Sequence, residues 1–270
     1  MLDGLLPFFV LGAAFAYAVG IRRLWAAAGT VRLVSPPQAA SFAVAIATLL
    51  VALASPLEDA ATRELPLHMV QHLLLLGVAA PLLAVSEPVT VMMRALPTEA
   101  RRRITPMIRR VTRSQTSRRG WVLWTTAAFA LSTIALALWH APALYDAAVR
   151  DTRVHVLEHV TFVATATLFW WMVLGAGRRT RRGLGVMAVF AATLPATALG
   201  ILMTLARTPW YAPYATGPHA LRDQQVAGAL MWGFGGSALV VGAAALFASW
   251  LATMDRTERP HAAHSAVEPW

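Results

Sequence analysis

Cysteine and lysine are both missing from these 270 residues. Without cysteine there is no disulfide, no thiolate metal site and no thiol nucleophile. Any metal must then take histidine, carboxylate, methionine or backbone ligands. Without lysine there is no Schiff base, which excludes a retinal protein, and all 23 basic side chains are arginine. Charge of either sign is scarce, at 13% of the chain against 57% hydrophobic residues. An ionisable group at the bilayer centre costs roughly 2.5–3.5 kcal/mol on insertion scales, so long stretches free of charge read as membrane spans.

Seven largely apolar stretches are expected to be helices, at 5–24, 38–54, 66–86, 121–139, 154–175, 184–206 and 226–251. The fold class is therefore all-α, a polytopic membrane protein with one seven-helix domain over 1–252. A polar cytoplasmic tail, read as disordered, follows over 253–270. The first span has no basic residue before it and Arg22 and Arg23 at its far end, the reverse of a cleavable signal peptide. Eighteen arginines fall in the first, third and fifth loops and the tail. Five fall on the other side: Arg63, Arg150, Arg153, Arg207 and Arg222. The positive-inside rule then predicts the N-terminus outside and the C-terminus in the cytoplasm. That distribution also accounts for the net charge of +10 without nucleic acid, which is excluded as a partner; the bilayer is the partner implied.

The 87–120 loop holds nine arginines and a stripe of Ile104, Met107, Ile108 and Val111. It reads either as a solvated loop that fixes topology or as an interfacial helix on anionic headgroups. Pro81 and Pro195 are expected to kink their spans. Gly228, Gly233, Gly235 and Gly236, with Ala227 and Ala229, are expected to let the last helix pack closely. Trp210, Tyr211 and Tyr214 read as an aromatic belt.

Polar residues that do enter the spans follow a pattern. His68 and His72 lie four apart at the head of the third span, on one helical face and about 6 Å from each other. That is a chelating spacing. His155 and His159 repeat it 87 residues later. Asp59-Ala60-Ala61 and Asp146-Ala147-Ala148 each stand with the Asp nine residues before the first histidine, which implies a duplicated unit. The predicted topology brings His140, after Trp139, and Asp223, at the head of the seventh span, to the same outer side. The expected metal ligands are His68, His72, His140, His155, His159 and Asp223. Gln71, Glu158 and Gln224 are expected behind them, holding the imidazoles in the ligating tautomer. Asp223 also fits an N-cap, and Asp59 and Asp146 fit turns or caps. Met69, Met203 and Met231 lie near the outer ends of their spans, as core filler or as soft Cu(I) ligands. The tail's His261 and His264 read as solvated.

Three chemistries fit these residues. One is a copper-handling protein, although imidazole suits copper and zinc alike. A second is a membrane zinc hydrolase, since His155-x-x-Glu158-His159 matches the inverted zincin pattern. In the duplicate, however, the glutamate position is Gln71, which cannot act as a base. Paired-histidine haem ligation fits less well, because it needs single histidines facing each other across helices.

At four segments the sequence resembles the seven-helix CtaG-type cytochrome c oxidase assembly factors of bacteria. They are His68-Met-Val-Gln-His72 with Ala80-Pro81-Leu-Leu; Trp139-His-Ala-Pro-Ala-Leu-Tyr-Asp-Ala-Ala148; His155-Val-Leu-Glu-His-Val-Thr-Phe162; and Asp223-Gln-Gln-Val-Ala-Gly-Ala-Leu-Met-Trp232. The resemblance runs from about 40 to 250. It implies a multi-pass protein of the bacterial plasma membrane that is not an enzyme, with cytochrome c oxidase subunits and an external copper chaperone as partners. It tips the metal toward copper, with zinc as the alternative. A metal-free chaperone for oxidase subunits is the other reading it leaves.

Overall fold

The computed structural model describes residues 5–27, 34–174, 182–237, 240–244 and 247–248. Among them the chain is all helical, without a strand. Six helices are long and apolar enough to cross a membrane: Leu6–Ala27, Pro36–Ala54, Leu65–Val85, Arg118–Trp139, Thr152–Leu174 and Gly183–Thr204. Each boundary falls within three residues of the expected span, because uncharged runs of this length leave little choice of register across a bilayer. The seventh expected span begins as Ala220–Leu230 and a π-helical turn at Met231–Gly235. It then runs into residues outside the described set, as do the tail at 253–270 and its two histidines.

In chain order the elements that matter are α1 (Leu5–Ala27), α2 (Pro36–Ala54), α3 (Pro56–Ala61) and α4 (Leu65–Leu73). A π-helical segment, Leu74–Ala79, leads into α5 (Ala80–Val85), α6 (Pro88–Ala95) and α7 (Thr98–Ser114). Then follow α8 (Arg118–Trp139), α9 (Pro142–Arg150), α10 (Thr152–Leu174), α11 (Arg182–Thr204) and α12 (Ala220–Leu230).

The duplicated sequence unit is a duplicated structure. A short helix opened by proline, α3 or α9, leads into the head of a spanning helix, α4 or α10. Pro56 and Pro142 each sit at a first helical position, where the missing N–H costs nothing. Asp59 and Asp146 lie inside these short helices rather than at their caps. The cap before α10 is Asp151, whose carboxylate accepts the Arg153 N–H at 2.7 Å.

Helix α10 packs on α8 along its length. Trp139 donates to Thr161 Oγ1 at 2.7 Å near one end. Trp121 donates to the Met172 carbonyl at 3.0 Å near the other. Pro81 stands in the first turn of α5, just after the π-helical segment Leu74–Ala79. Pro195 stays inside an unbroken α11. Of the glycines expected to permit close packing, Gly228 does so. A Cβ there would stand 2.6 Å from the Gly200 carbonyl oxygen, and one on Gly200 2.9 Å from that of Gly228. Gly233 and Gly236 face open space instead.

Candidate metal centre

The heads of α4 and α10 present their histidine pairs to each other. Ring centroids are 4.4 Å apart for His68–His72, 4.1 Å for His155–His159, 5.2 Å for His68–His155 and 5.6 Å for His72–His159. The four imidazoles thus form a closed ring, and none is more than 6% exposed. Glu158, wholly buried, projects into it: Oε1 is 3.5 Å from His72 Nε2 and Oε2 3.9 Å from His68 Nε2. One ligand atom from each of His68, His155, Glu158 and His159 lies within 4.8 Å of the others. A buried His/Glu group able to hold a metal is therefore present.

The tautomers can be read from the partners. Tyr214 donates its hydroxyl proton to the Ala61 carbonyl at 2.6 Å, so the same oxygen accepts from His68 Nδ1–H at 3.0 Å. His140 Nδ1 is 2.8 Å from the Leu136 carbonyl, which can only accept. His155 Nδ1 lies 3.3 Å from Glu58 Oε1. In His68 and His140, Nδ1 therefore carries the proton and Nε2 keeps its lone pair, the tautomer that a group accepting from behind a metal-binding histidine enforces.

His68 Nε2 and His72 Nε2 are 3.0 Å apart. Two nitrogens each about 2.0–2.1 Å from one ion stand about 2.9–3.4 Å apart for angles between square and tetrahedral. A proton on His72 Nε2 can span that gap, and so can an ion. His155 Nε2, His159 Nε2 and both oxygens of Glu158 are buried without a hydrogen-bond partner. In a protein interior such groups are costly unless something binds them.

Other expected residues stand around this ring rather than in it. The His140 ring is 6.0 Å from that of His72, and its buried Nε2 has no partner. Burial pushes its pKa down to about 4, so the ring is neutral at physiological pH. His72 and His140 also wall an apolar cavity of about 110 Å³ that runs from the ring toward Phe169 and Trp170. Asp223 is half-buried in the first turn of α12 and lies outside the four-residue group. Gln71 turns away from the imidazoles and donates to the Ala52 carbonyl and to Glu58 Oε2. Gln224 holds the preceding loop, accepting the Trp210 N–H at 2.6 Å and donating to the Thr208 carbonyl at 3.3 Å. Among the methionines, Met69, Met203 and Met231 are buried together in one apolar cluster with Tyr145 and Tyr211.

Sequence reading missed Glu58 and the inward turn of three tyrosines. Tyr211 and Tyr214 form no belt. Tyr211 stacks on Tyr145 at 4.0 Å and donates to the His140 carbonyl at 3.1 Å, while Tyr214 closes on His68. Asp146 pins the same loop by accepting the Ala212 N–H at 3.2 Å. Burial raises the pKa of all three phenols, so they remain hydroxyl donors. One signal was available in the sequence: Glu58 and Tyr145 occupy the same position in the two units, directly before the repeated Asp.

The sequence profile of the cytochrome c oxidase caa3 assembly factor family matches residues 15–253. The chain belongs to that family. No curated protein and no solved structure matches it. A family of assembly factors accords with a non-enzymatic chain, and with cytochrome c oxidase as its partner. The family match spans both histidine-bearing units and the loop that closes over them.

Proposed function

We propose that this oxidase assembly factor binds copper as cargo between its two histidine pairs and hands it to a cytochrome c oxidase subunit. His68, His72, His155 and His159 supply the imidazoles, Glu158 the carboxylate, and His140 and Asp223 assist as the ion arrives or leaves. The observation that carries this reading is the set of unpartnered buried donors, His155 Nε2, His159 Nε2 and both Glu158 oxygens, beside the 3.0 Å His68–His72 nitrogen pair. Imidazole and carboxylate suit copper and zinc alike. Copper is favoured by the client, an oxidase whose assembly the family serves. Glu158 touches two histidines of the opposite unit, as a ligand or counter-charge does, which weighs against zinc hydrolysis with Glu158 as base.

In this reading the chain crosses the bacterial plasma membrane seven times, N-terminus outside, with the polar tail in the cytoplasm. The histidine ring then faces the outer surface, where an external copper chaperone can load it. The 18-to-5 division of arginines supports that orientation.

Metal analysis of protein purified from its native membrane tests the proposal. Copper near one per chain is expected, and it should vanish when His68→Ala and His155→Ala are combined. Full copper occupancy in that double variant would overturn the site. Zinc in place of copper would favour the hydrolase, and no metal at all the metal-free chaperone.

A further inference from the structure

Helix α7, Thr98–Ser114, should not be stable by itself. In proteins most helical stability comes from packing an apolar face against neighbours rather than from propensity. Pro106 sits inside it and deprives the Arg102 carbonyl of its helix hydrogen bond. Six arginines at 101, 102, 103, 109, 110 and 113 repel one another along 17 residues, against a single acid, Glu99, paired with Arg103 at 2.8 Å. Nor does the bundle hold it, since most of its side chains are exposed, Met107 by 69%. Near its end Trp124 Nε1 of α8 donates to Ser114 Oγ at 2.9 Å.

We infer that α7 is a seat for anionic phospholipid headgroups of the surrounding bilayer. At 100° per residue, Ile104, Met107 and Ile108 fall on one face. Arg101 flanks that face on one side and Arg103 and Arg110 on the other, while Arg102, Arg109 and Arg113 point the opposite way. An apolar stripe between flanking arginines is the pattern of a helix lying in the interface, its long side chains reaching phosphates beside the stripe. Guanidinium forks pair with phosphate oxygens through two parallel hydrogen bonds. The position fits as well. The spanning helix Leu65–Val85 ends shortly before α6 and α7, and α8 begins its span at Arg118, so α7 joins two helix ends on one side of the bundle. An acidic protein segment would match the charge but not the apolar stripe, which decides for lipid. This inference is independent of the metal reading.

Because the chain lacks cysteine, Met107→Cys accepts a single polarity-sensitive fluorophore at an exposed position. In vesicles of phosphatidylcholine and phosphatidylglycerol at four to one, its emission should shift to the blue relative to pure phosphatidylcholine. The shift should shrink as salt is raised. Lipids retained by the purified protein should be enriched in phosphatidylglycerol. The triple variant Arg101→Gln, Arg103→Gln, Arg110→Gln should cut that enrichment by about tenfold, and the matching variant at Arg102, Arg109 and Arg113 by much less. Emission indifferent to phosphatidylglycerol, or equal losses in the two triple variants, would overturn the proposal. The first result would leave a solvated helix or one that awaits an acidic protein. Metal content read on the same samples should not change, which separates a failed lipid site from a failed metal site.

Discussion

The two histidine-bearing units share a plan, and two of the positions at which they differ lie beside the histidines. Offset by 87 residues, Asp59 matches Asp146, His68 matches His155 and His72 matches His159; but Glu58 stands opposite Tyr145, and Gln71 opposite Glu158. Both differing pairs work across the centre. Glu58 reaches His155 of the second unit, and Tyr145 lies 5.0 Å, ring to ring, from His68 of the first. Glu158 faces both histidines of the first unit, whereas Gln71 stays within its own, bonded to Glu58 and Ala52. Duplication supplied the imidazoles in matched pairs. Divergence then left one carboxylate buried inside the ring and one partly exposed behind it. Had both 71 and 158 remained glutamates, two buried carboxylates would share one low-dielectric space, where like charges cannot both ionise cheaply.

Making the units alike at the Gln71/Glu158 position is the severest way to break the comparison short of removing histidines. Glu158→Gln keeps the shape but removes the carboxyl group that faces His68 and His72. We expect copper affinity to fall by about 100-fold, the upper end of what metal-supporting residues contribute, as read by competition with a chromophoric chelator. An affinity within twofold of the parent would make Glu158 a bystander and return the ring to a knot of hydrogen-bonded helices.

Glu58→Gln probes the other carboxylate and should do less. Its Oε1 lies 3.3 Å from His155 Nδ1, on the outside of the ring, and a glutamine oxygen can still accept a proton from there. A loss of about tenfold is expected in the same competition. The order matters more than either value. If Glu58→Gln costs more than Glu158→Gln, the ion sits nearer the partly exposed side of the cluster, and the inner carboxylate serves packing.

Much of this was legible in the chain, for reasons that mark where legibility ends. Span boundaries follow from runs without charge, and the His68/His72 and His155/His159 pairs follow from a spacing that any helix turns into a shared face. The duplicated Asp-Ala-Ala told that the pairs were related, though not that they would meet. What stayed hidden depends on contacts across the chain. Tyr214 reads as interfacial until its loop is seen folded inward, held by Gln224 and Asp146. Asp223 fits a ligand and an N-cap equally well from sequence; in the structure His219 takes the cap, the Asp223 backbone N–H bonds the His219 carbonyl at 2.9 Å, and the ring closes without Asp223. Glu58 was overlooked because it sits beside the more conspicuous Asp59, and only packing shows which of the two points at a histidine.

The smallest effect concerns a residue with no twin. Eighty-seven residues before His140 stands Leu53, so the second unit carries an extra imidazole at the end of α8. Its folded pKa of about 4 lies below the ordinary value of 6.5. Between those values the unfolded chain takes up a proton that the folded ring refuses. The contribution to stability is therefore complete above about pH 7 and is lost as pH falls from 6.5 toward 4. Going from pH 7.5 to 5.5 should cost chelator-treated protein about 1 kcal/mol through this residue. His140→Leu, which copies the first unit, should flatten the fall in thermal midpoint by that amount and leave the slope due to the other histidines. An unchanged slope would mean that His140 is already protonated or solvated in the folded protein, and that its Nε2 is not a free lone pair waiting beside the ring.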